Sequence, residues 1–463
     1  MKRFLAILLC VIMMLTTFVA CDVNVNLNDP TVTTEASSST AAETTATTTT
    51  TTTTAATTTE ATTTAPVTTE ATTTVATTTA ATTTAATTTA PATTEAPTTT
   101  EAPATTEAPA TTQAPTTTAP TPEELKAAEL MEYLSGVTYL DFELTGESKP
   151  YFMGRWFEKE ISGVNHMVTV TSGSQLYFLT DGATSFDVNF TVTTTNITPS
   201  FAYSIDGGAP VRQLITDPTV KLPNDQPHTV RIIADGMYEM EKKWVEERGF
   251  ALKSITPNSG EIYGIKPNNK VIFYYGDSIT EGIYSLGEGA KNNSATNAFP
   301  WHCSEALGAV TYSIGYGGTG VTQGIEQGKS FCTFIEAIDY NTQNRLVDDG
   351  IVPDVIVISH GTNDGPSVSA LDFADGLRAA IDRLNEKYPN TPIIYVVPMS
   401  SIYTKLAAVK KVAGEYDNVS WCHTSDWGIT LTDSCHPDAN GALKFGTALA
   451  DKMLEILGKD FFD

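Results

Sequence analysis

The chain has 463 residues, with 27 basic and 53 acidic side chains and a formal net charge of −26 at pH 7. Because a protein this acidic repels phosphate backbones and anionic lipid headgroups, its composition argues against nucleic-acid binding. Such acidity fits a neutral or weakly charged substrate better than a highly acidic polymer.

Residues 1–20 have the pattern of a signal peptide. Lys2 and Arg3 precede an apolar run at 4–19, which is too short and too N-terminal to favour a permanent membrane span. The run ends Phe18-Val19-Ala20-Cys21, which resembles a bacterial lipobox, where the cysteine is diacylated and becomes the mature N-terminus. We therefore expect a lipoprotein tethered through Cys21 to the bacterial cell surface. Cleavage after Ala20, giving a freely secreted protein, is the alternative.

Residues 21–122 comprise Cys21 and a low-complexity segment that is almost entirely Thr and Ala from Thr31 onward. Near its end Glu95-Ala96-Pro97 starts a six-residue repeat. With almost no large apolar side chains, the segment cannot offset its chain entropy by burial, so we predict a disordered linker. A flexible coil of about 100 residues spans roughly 50–60 Å, enough to carry a domain outward through a cell wall.

Residues 123–262 predict a short helix followed by an all-β domain. Thr121-Pro122-Glu123-Glu124 is typical of a helix start, and Gly136 is expected to end that helix. Its predicted apolar positions are Leu125, Leu130, Met131 and Leu134. Runs of alternating polarity, separated by turn residues, predict strands at 166–170, 175–179, 186–192, 201–205 and 229–234. Many short strands without intervening helices indicate a β-sandwich.

Residues 263–463 predict an α/β domain. Short runs rich in Val and Ile occur at 271–275, 310–314, 355–359, 393–397 and 419–422. Helix-length segments such as 371–388 lie between them. This alternation predicts a parallel sheet covered by helices on both faces. In such folds, functional residues collect in loops beyond the carboxyl ends of the strands.

Three polar clusters fall in those loops: Gly276-Asp277-Ser278, Gly361-Thr362-Asn363-Asp364, and Asp433-Ser434-Cys435-His436. A serine hydroxyl becomes a useful nucleophile when a positioned imidazole takes its proton, and a carboxylate can fix the imidazole tautomer. Ser278, His436 and Asp433 could fill these roles. The Ser278 N–H, a glycine N–H from 315–320 and the Asn363 amide could bind a developing oxyanion.

These blocks resemble those of the SGNH/GDSL hydrolases, in the family's order, over roughly residues 270–463. The resemblance implies a flavodoxin-like three-layer α/β/α fold, with Ser278 as nucleophile, His436 as general base and Asp433 orienting that base. It also implies an oxyanion hole formed by Ser278, Gly318 and Asn363, with Gly317 as the neighbouring alternative to Gly318.

The order of a sandwich before a hydrolase domain, with Gly154-Arg155-Trp156 in the sandwich, is similar to carbohydrate esterase family 2. Enzymes of that family deacetylate plant-wall polysaccharides such as xylan and mannan. Some members lack the third triad residue, whereas Asp433 is present here. We expect the sandwich to be jelly-roll-like.

Four further residues are candidates for substrate contact. Trp301 and Trp427, placed in loops near the site, and Tyr316, beside the oxyanion glycines, could stack on sugar faces; core packing is the alternative for each. His360 could line the pocket, or it could be a strand-end residue bonded to backbone.

The remaining polar residues have structural interpretations. Asp277 and Asp364 are expected to hold loop backbone through hydrogen bonds. The cysteines of the folded part could form disulfides in any of three pairings or remain buried thiols: Cys303, Cys332, Cys422 and Cys435. Because no cluster has metal-ligand spacing, we expect neither metal nor cofactor.

Together these patterns predict an extracellular, monomeric serine esterase that removes small acyl groups, above all O-acetyl, from a xylan- or mannan-like polysaccharide through an acyl-enzyme. Lipid esters, thioesters and O-acetylated peptidoglycan are alternative substrates for the same residues. A surface glycan-binding protein with an idle hydrolase domain is an alternative of another class. The complete set of Ser278, Asn363, Asp433 and His436 argues against it.

Overall fold

The computed structural model describes residues 120–322 and 332–463. The predicted signal peptide, the lipidation site Cys21 and the Thr-rich linker lie outside these residues and stay predictions. Within the described ranges, no helix combines the length and the apolar character needed to cross a membrane.

The first helix, α1 (Pro122–Ser135), begins where the sequence predicts. The Thr121 side chain accepts a hydrogen bond from the Glu124 N–H, and the Glu124 side chain reaches back to the Thr121 N–H. Leu130 and Leu134, four residues apart on one face, are the buried positions. The predicted apolar face was too wide, because Leu125 and Met131 are 56% and 60% exposed.

Residues 142–267 form a β-sandwich. In chain order its elements are β1 (Phe142–Leu144), β2 (Tyr151–Met153), β3 (Trp156–Ile161), β4 (Val164–Thr169), β5 (Gln175–Asp181), β6 (Ser185–Val192), β7 (Ser200–Ile205), β8 (Val211–Leu214), β9 (Thr219–Lys221), β10 (His228–Gly236), α2 (Lys243–Glu246), β11 (Phe250–Pro257) and β12 (Glu261–Pro267). One sheet has the order β1-β12-β5-β10-β7-β8, with β2 also paired to β5, and the other has the order β3-β4-β11-β6-β9. All these pairings are antiparallel.

The two sheets enclose an apolar interior. Phe178 and Val230 from one sheet meet Phe186, Val188 and Phe250 from the other in a single buried cluster. The predicted β-sandwich is confirmed, while its jelly-roll-like character stays a prediction. The predicted boundary between residues 262 and 263 is wrong, because it cuts through β12, whose register with β5 and β1 keeps it in the sandwich.

Residues 271–463 form the α/β domain. Its elements are β13 (Val271–Gly276), α3 (Ser278–Glu281), α4 (Phe299–Leu307), β14 (Val310–Gly315), α5 (Phe334–Asp339), β15 (Tyr340–Thr342), β16 (Arg345–Leu346), β17 (Val355–Ser359), α6 (Ala370–Lys387), β18 (Ile393–Val397), α7 (Ile402–Ala413), β19 (Val419–His423) and α8 (Ala439–Leu457). The main sheet has the order β14-β13-β17-β18-β19 and is parallel throughout. This is the flavodoxin-like order.

Side chains of β13 alternate between two apolar layers. Ile272 and Tyr274 pack with α4 and α8, whereas Phe273 and Tyr275 pack with α5, α6 and α7. The predicted three-layer α/β/α architecture is therefore confirmed.

The sandwich and the α/β domain share one apolar cluster, which joins Tyr177 and Leu179 of β5 to Phe273 and Tyr312 of the main sheet. Arg155 of the sandwich is 1% exposed, and its Nη1 donates to the Tyr340 carbonyl at 2.8 Å. Arg155 of the Gly154-Arg155-Trp156 segment thus anchors the sandwich on the α/β domain.

The cysteines of the described chain are buried. Cys303, Cys332 and Cys422 are free thiols, and burial raises the pKa of each to about 12. These three therefore remain protonated and unreactive at neutral pH. Cys435 is also buried.

Candidate active site

Ser278 lies at the carboxyl edge of the main sheet, after its second strand. It follows β13, which runs between β14 and β17, and it is the first residue of α3. The Asp277 side chain caps this helix by accepting a hydrogen bond from the Ile279 N–H at 3.0 Å. The chain therefore turns sharply from strand to helix at the serine, which is 4% exposed.

His436 and Asp433 reach the serine from the loop between β19 and α8. Oδ1 of Asp433 accepts from the backbone N–H groups of Cys435 and His436, at 2.7 and 2.6 Å. Its Oδ2 lies 2.8 Å from Nδ1 of His436, and Nε2 of His436 lies 2.9 Å from Oγ of Ser278. Since an ionised carboxylate only accepts, Nδ1 carries the proton and Nε2 accepts from the serine hydroxyl.

The Asp433 carboxyl is held ionised. Burial acts to raise its pKa, but hydrogen bonds from the His436 backbone, the His436 ring and the Cys435 backbone outweigh it and hold the pKa below its usual value. The carboxylate therefore fixes both the loop and the orientation of the imidazole.

The loop after β14 supplies the glycine of the candidate oxyanion hole. The Gly317 N–H donates to Oε2 of Glu281 at 3.0 Å, so this N–H is not free to bind an oxyanion. Gly318, the predicted residue, follows with a φ of 78°, in the left-handed region that favours glycine. This geometry favours Gly318 over Gly317.

Asn363 contacts Asp277, the residue before Ser278, and its amide is engaged within the protein. Its Nδ2 donates to the Thr319 carbonyl at 3.1 Å and to Oδ2 of Asp277 at 3.3 Å. The amide must release the longer of these bonds to donate to a substrate oxygen. Burial raises the pKa of Asp277 to about 7, so protonation of this neighbour weakens the competing bond.

Asp364 holds the glycine loop, as predicted. Its carboxylate accepts from the N–H groups of Val321 and Thr322, at 2.7 and 2.8 Å, and from the Thr322 hydroxyl at 2.9 Å. Asp277 holds the Ile279 N–H in the same way.

Trp301 lies in a helix rather than in the predicted loop, and substrate contact there stays a prediction. Trp301 lies in α4, is 6% exposed, and packs against the sandwich, where the Arg231 guanidinium lies 4.0 Å from its ring centroid. It is a residue of the contact between the two domains. Trp427 is half-buried with its ring 5.6 Å from that of Phe445, and substrate contact there stays a prediction.

Tyr316 and His360 are also buried. Tyr316 is 1% exposed, and its hydroxyl donates to the Asn341 carbonyl at 2.7 Å. His360 is 1% exposed, and its Nδ1 donates to the Thr319 carbonyl at 3.3 Å. The structure therefore shows His360 bonded to backbone, and substrate contact by Tyr316 or His360 stays a prediction.

Tyr284 is a residue at the site that the sequence motifs did not reveal. Its φ of 56° is rare for a tyrosine, and its ring meets the His436 ring edge-on at 5.4 Å. Its N–H donates to Oδ1 of Asn293 at 3.0 Å, and its carbonyl accepts from the Thr432 hydroxyl at 2.8 Å. The strained backbone is thus held from both sides and places the ring against the imidazole.

The sandwich also reaches the site through a segment that carries no motif. Lys243 of α2 forms an ion pair with Glu281 of α3, and each is 1% exposed. Glu239, four residues earlier, lies within electrostatic range of Glu281 and His436. Among the described residues, no group of three or more His, Cys, Asp or Glu has an arrangement that could hold a metal ion.

Residues 274–442 match the GDSL-like lipase/acylhydrolase family. No curated protein sequence matches the chain significantly.

Three solved structures share the two-domain fold. A family two carbohydrate esterase from Clostridium thermocellum, in complex with cellohexaose, is 17% identical, with a TM-score of 0.55 over 67% of this chain and 99% of that chain. A carbohydrate esterase family 2 enzyme with a carbohydrate binding domain, from Corynascus thermopiles (Myceliophthora fergusii), is 17% identical, with a TM-score of 0.53 over 67% and 100%. An acetyl xylan esterase from Butyrivibrio proteoclasticus is 16% identical, with a TM-score of 0.51 over 69% and 100%. The chain therefore carries an SGNH/GDSL hydrolase domain behind a β-sandwich, in the fold of the family 2 carbohydrate esterases, and is a carboxylic ester hydrolase.

Proposed function

We propose that this protein is a serine esterase that removes small acyl groups, above all O-acetyl, from a xylan- or mannan-like polysaccharide. The observation that carries the proposal is the continuous hydrogen-bonded chain from Ser278 Oγ through His436 to Asp433, with separations of 2.9 and 2.8 Å. An unactivated serine is a poor nucleophile, and this arrangement supplies the base that it needs.

In the acylation step, Oγ of Ser278 attacks the ester carbonyl carbon while its proton passes to Nε2 of His436. The carbonyl oxygen becomes an oxyanion that accepts from the N–H groups of Ser278 and Gly318 and from the Asn363 amide once this leaves Asp277. The intermediate then collapses. The bond to the sugar oxygen breaks, that oxygen takes the proton from His436, and the acyl group remains on Ser278.

In the deacylation step, water takes the place of the sugar alcohol. His436 accepts a proton from the water as its oxygen attacks the acyl carbon, and the same donors bind the second oxyanion. Collapse breaks the bond to Ser278, whose oxygen recovers the proton from His436, and acetic acid leaves and ionises to acetate in solution. The negative charge of Asp433 stabilises the imidazolium in both steps.

Two features support a small acyl group and a neutral alcohol. Ser278 is 4% exposed, which favours a compact acyl group over a long chain. The net charge of −26 disfavours anionic polymers. Structural neighbours include carbohydrate esterases, one of them an acetyl xylan esterase.

Acetate release from acetylated xylan and mannan, compared with hydrolysis of acetyl, butyryl and octanoyl 4-nitrophenyl esters, tests the proposal. We expect acetate from at least one polymer and kcat/KM values that fall with acyl length. Ser278→Ala should lower kcat by at least about 10⁴-fold. The exposed neighbour Ser434 supplies the matched control, Ser434→Ala. Full activity of Ser278→Ala contradicts the assignment, and a preference for octanoyl esters indicates a lipid substrate.

We also propose that the enzyme acts outside the cell, tethered through Cys21. The basic and apolar leader, the lipobox-like Phe18-Val19-Ala20-Cys21 and the Thr-rich segment support this location. Cys21→Ser should move the protein from the membrane fraction to the medium. Unchanged membrane association would contradict lipid attachment at this cysteine.

A further inference from the structure

The segment from Met237 to Lys243 leads from the sandwich into the active site and is fixed at both ends. At its start, the Met237 carbonyl accepts from Nδ2 of Asn293 at 2.9 Å. At its end, Lys243 is paired with Glu281 in a fully buried position. Glu239 lies between these two anchors, so its backbone has a defined place relative to the catalytic loops.

The Glu239 side chain lies directly against the glycine loop of the oxyanion hole. A β-carbon added to Gly317 would lie 2.4 Å from Cγ and 2.6 Å from Oε1 of Glu239. These distances are far inside van der Waals contact. The Glu239 carboxylate can therefore occupy this position only because Gly317 has no side chain.

The Glu239 carboxylate has charged neighbours but receives no hydrogen bond. Burial raises its pKa, and the negative charge of Glu281 raises it further, while His436 and Lys243 act in the opposite direction. Across residues 120–322 and 332–463, no group donates a hydrogen bond to this side chain. Because the Glu239 side chain is only partly buried, its carboxylate can accept a hydrogen bond from a ligand. A hydroxyl is a donor of the kind that this acceptor can bind.

We propose that Glu239 is a specificity-determining residue that accepts a hydrogen bond from a free hydroxyl of the alcohol, next to the ester being cleaved. An apolar acyl group has no donor for a hydrogen bond to a carboxylate, whereas the hydroxyl groups of a sugar donate well to one. The sandwich thereby selects esters of polyhydroxy alcohols. This inference rests on the proposed esterase function and names the part of the substrate that Glu239 recognises.

Two small esters with the same acyl group test this role without a polymer. Glycerol monoacetate has free hydroxyls beside its ester, and ethyl acetate has none. The measured quantity is the kcat/KM for glycerol monoacetate divided by that for ethyl acetate. We expect Glu239→Leu to lower this ratio by about tenfold or more, as for loss of a hydrogen bond to a charged group. Glu239→Gln, which keeps an acceptor oxygen, should restore part of it.

Glu288→Gln is the matched control. Glu239 and Glu288 both act electrostatically on Tyr284, but Glu288 is exposed, so its loss should leave the ratio unchanged. An equal fall for both esters in Glu239→Leu would overturn the proposal, because it would mean that the residue acts through the catalytic groups or the fold. An unchanged or higher ratio would overturn it too. Failure of the wild-type protein to release acetate from any polysaccharide would instead contradict the proposed polymer substrate.

Discussion

The α/β domain and the β-sandwich contribute to one site in different ways. The α/β domain supplies Ser278, Asp433 and His436 from loops at the edge of its parallel sheet, where such folds usually bind their ligands. The sandwich supplies Glu239 and Lys243 from a single segment that follows β10. The first group carries the chemistry, and the second supports it and faces the alcohol.

Some buried charges of the two domains are satisfied within one domain and others across the contact between them. Asp433 and Asp364 find their partners within the α/β domain. Lys243 and Arg155 of the sandwich find theirs across the domain contact, on Glu281 and Tyr340. Because unpaired buried charges are strongly destabilising, each domain depends on the other. The sandwich is therefore part of the enzyme's framework rather than a separable binding module.

The largest expected effect lies in the α/β domain, at Asp433. In Asp433→Asn, an amide N–H facing the imidazole would favour the tautomer whose Nε2 carries the proton, which cannot accept from Ser278. We expect kcat/KM for 4-nitrophenyl acetate to fall by about 10³–10⁴-fold with the fold intact. The exposed residue Asp426 provides the control Asp426→Asn. A loss of less than tenfold would reduce Asp433 to a residue that only shapes the loop.

The next-largest effect is expected on the stability of the protein, at Lys243 of the sandwich. Lys243→Met leaves the Glu281 carboxylate buried without its cation, which typically costs about 3–5 kcal/mol of the free energy of unfolding. Denaturant unfolding of the full chain measures this loss. Lys242→Met is the control, since that side chain is 53% exposed and its loss should cost less than about 0.5 kcal/mol.

The double variant Lys243→Met/Glu281→Gln should recover much of this stability, because the buried charge is then removed while an acceptor remains for the Gly317 N–H. If the single variant is as stable as the wild type, the ion pair does not join the two domains as described.

A smaller effect is expected at Gly317, where the two domains touch. Gly317→Ala places a methyl group against Glu239, and such overpacking typically costs about 1–3 kcal/mol. In a Glu239→Ala background the same change should cost clearly less, since the contacting atoms are gone. Gly365→Ala is the control, because nothing lies within 4 Å of a β-carbon added there. Equal costs in both backgrounds would contradict the contact on which the role of Glu239 depends.

The comparison of domains also explains what the sequence could predict. Strands β17 and β18 match their predicted bounds because their Val- and Ile-rich runs are enclosed by turn residues. Ser278, Asp433 and His436 could be placed because their spacing and their positions after strands follow from the chemistry and the topology. These are local patterns, and each is visible within one short stretch of sequence.

The residues that were missed or misplaced depend on contacts between distant segments. Glu239 is one of 53 acidic residues, and only its approach to Gly317 distinguishes it. Trp301 was assigned to a loop, although Pro300 is typical of a helix start and lies in the first turn of α4. Its burial depends on Arg231 of the sandwich, a partner that no local pattern indicates.

A pH-dependent effect is expected at Asp277, which belongs to the α/β domain. Burial raises its pKa to about 7, against roughly 3.9 in an unfolded chain. A carboxyl whose folded pKa is raised stabilises the fold below the unfolded value, and this contribution is lost as pH rises through the folded value. The melting temperature of Asp277→Asn minus that of the wild type should therefore rise between about pH 4 and 8. This difference in melting temperature should rise by about 2–4 °C for each kcal/mol of stability that the wild type loses over this pH range. Asp460→Asn, at an exposed position, is the control and should show no such trend. If the melting temperatures of Asp277→Asn and the wild type change in parallel with pH, Asp277 keeps an ordinary pKa.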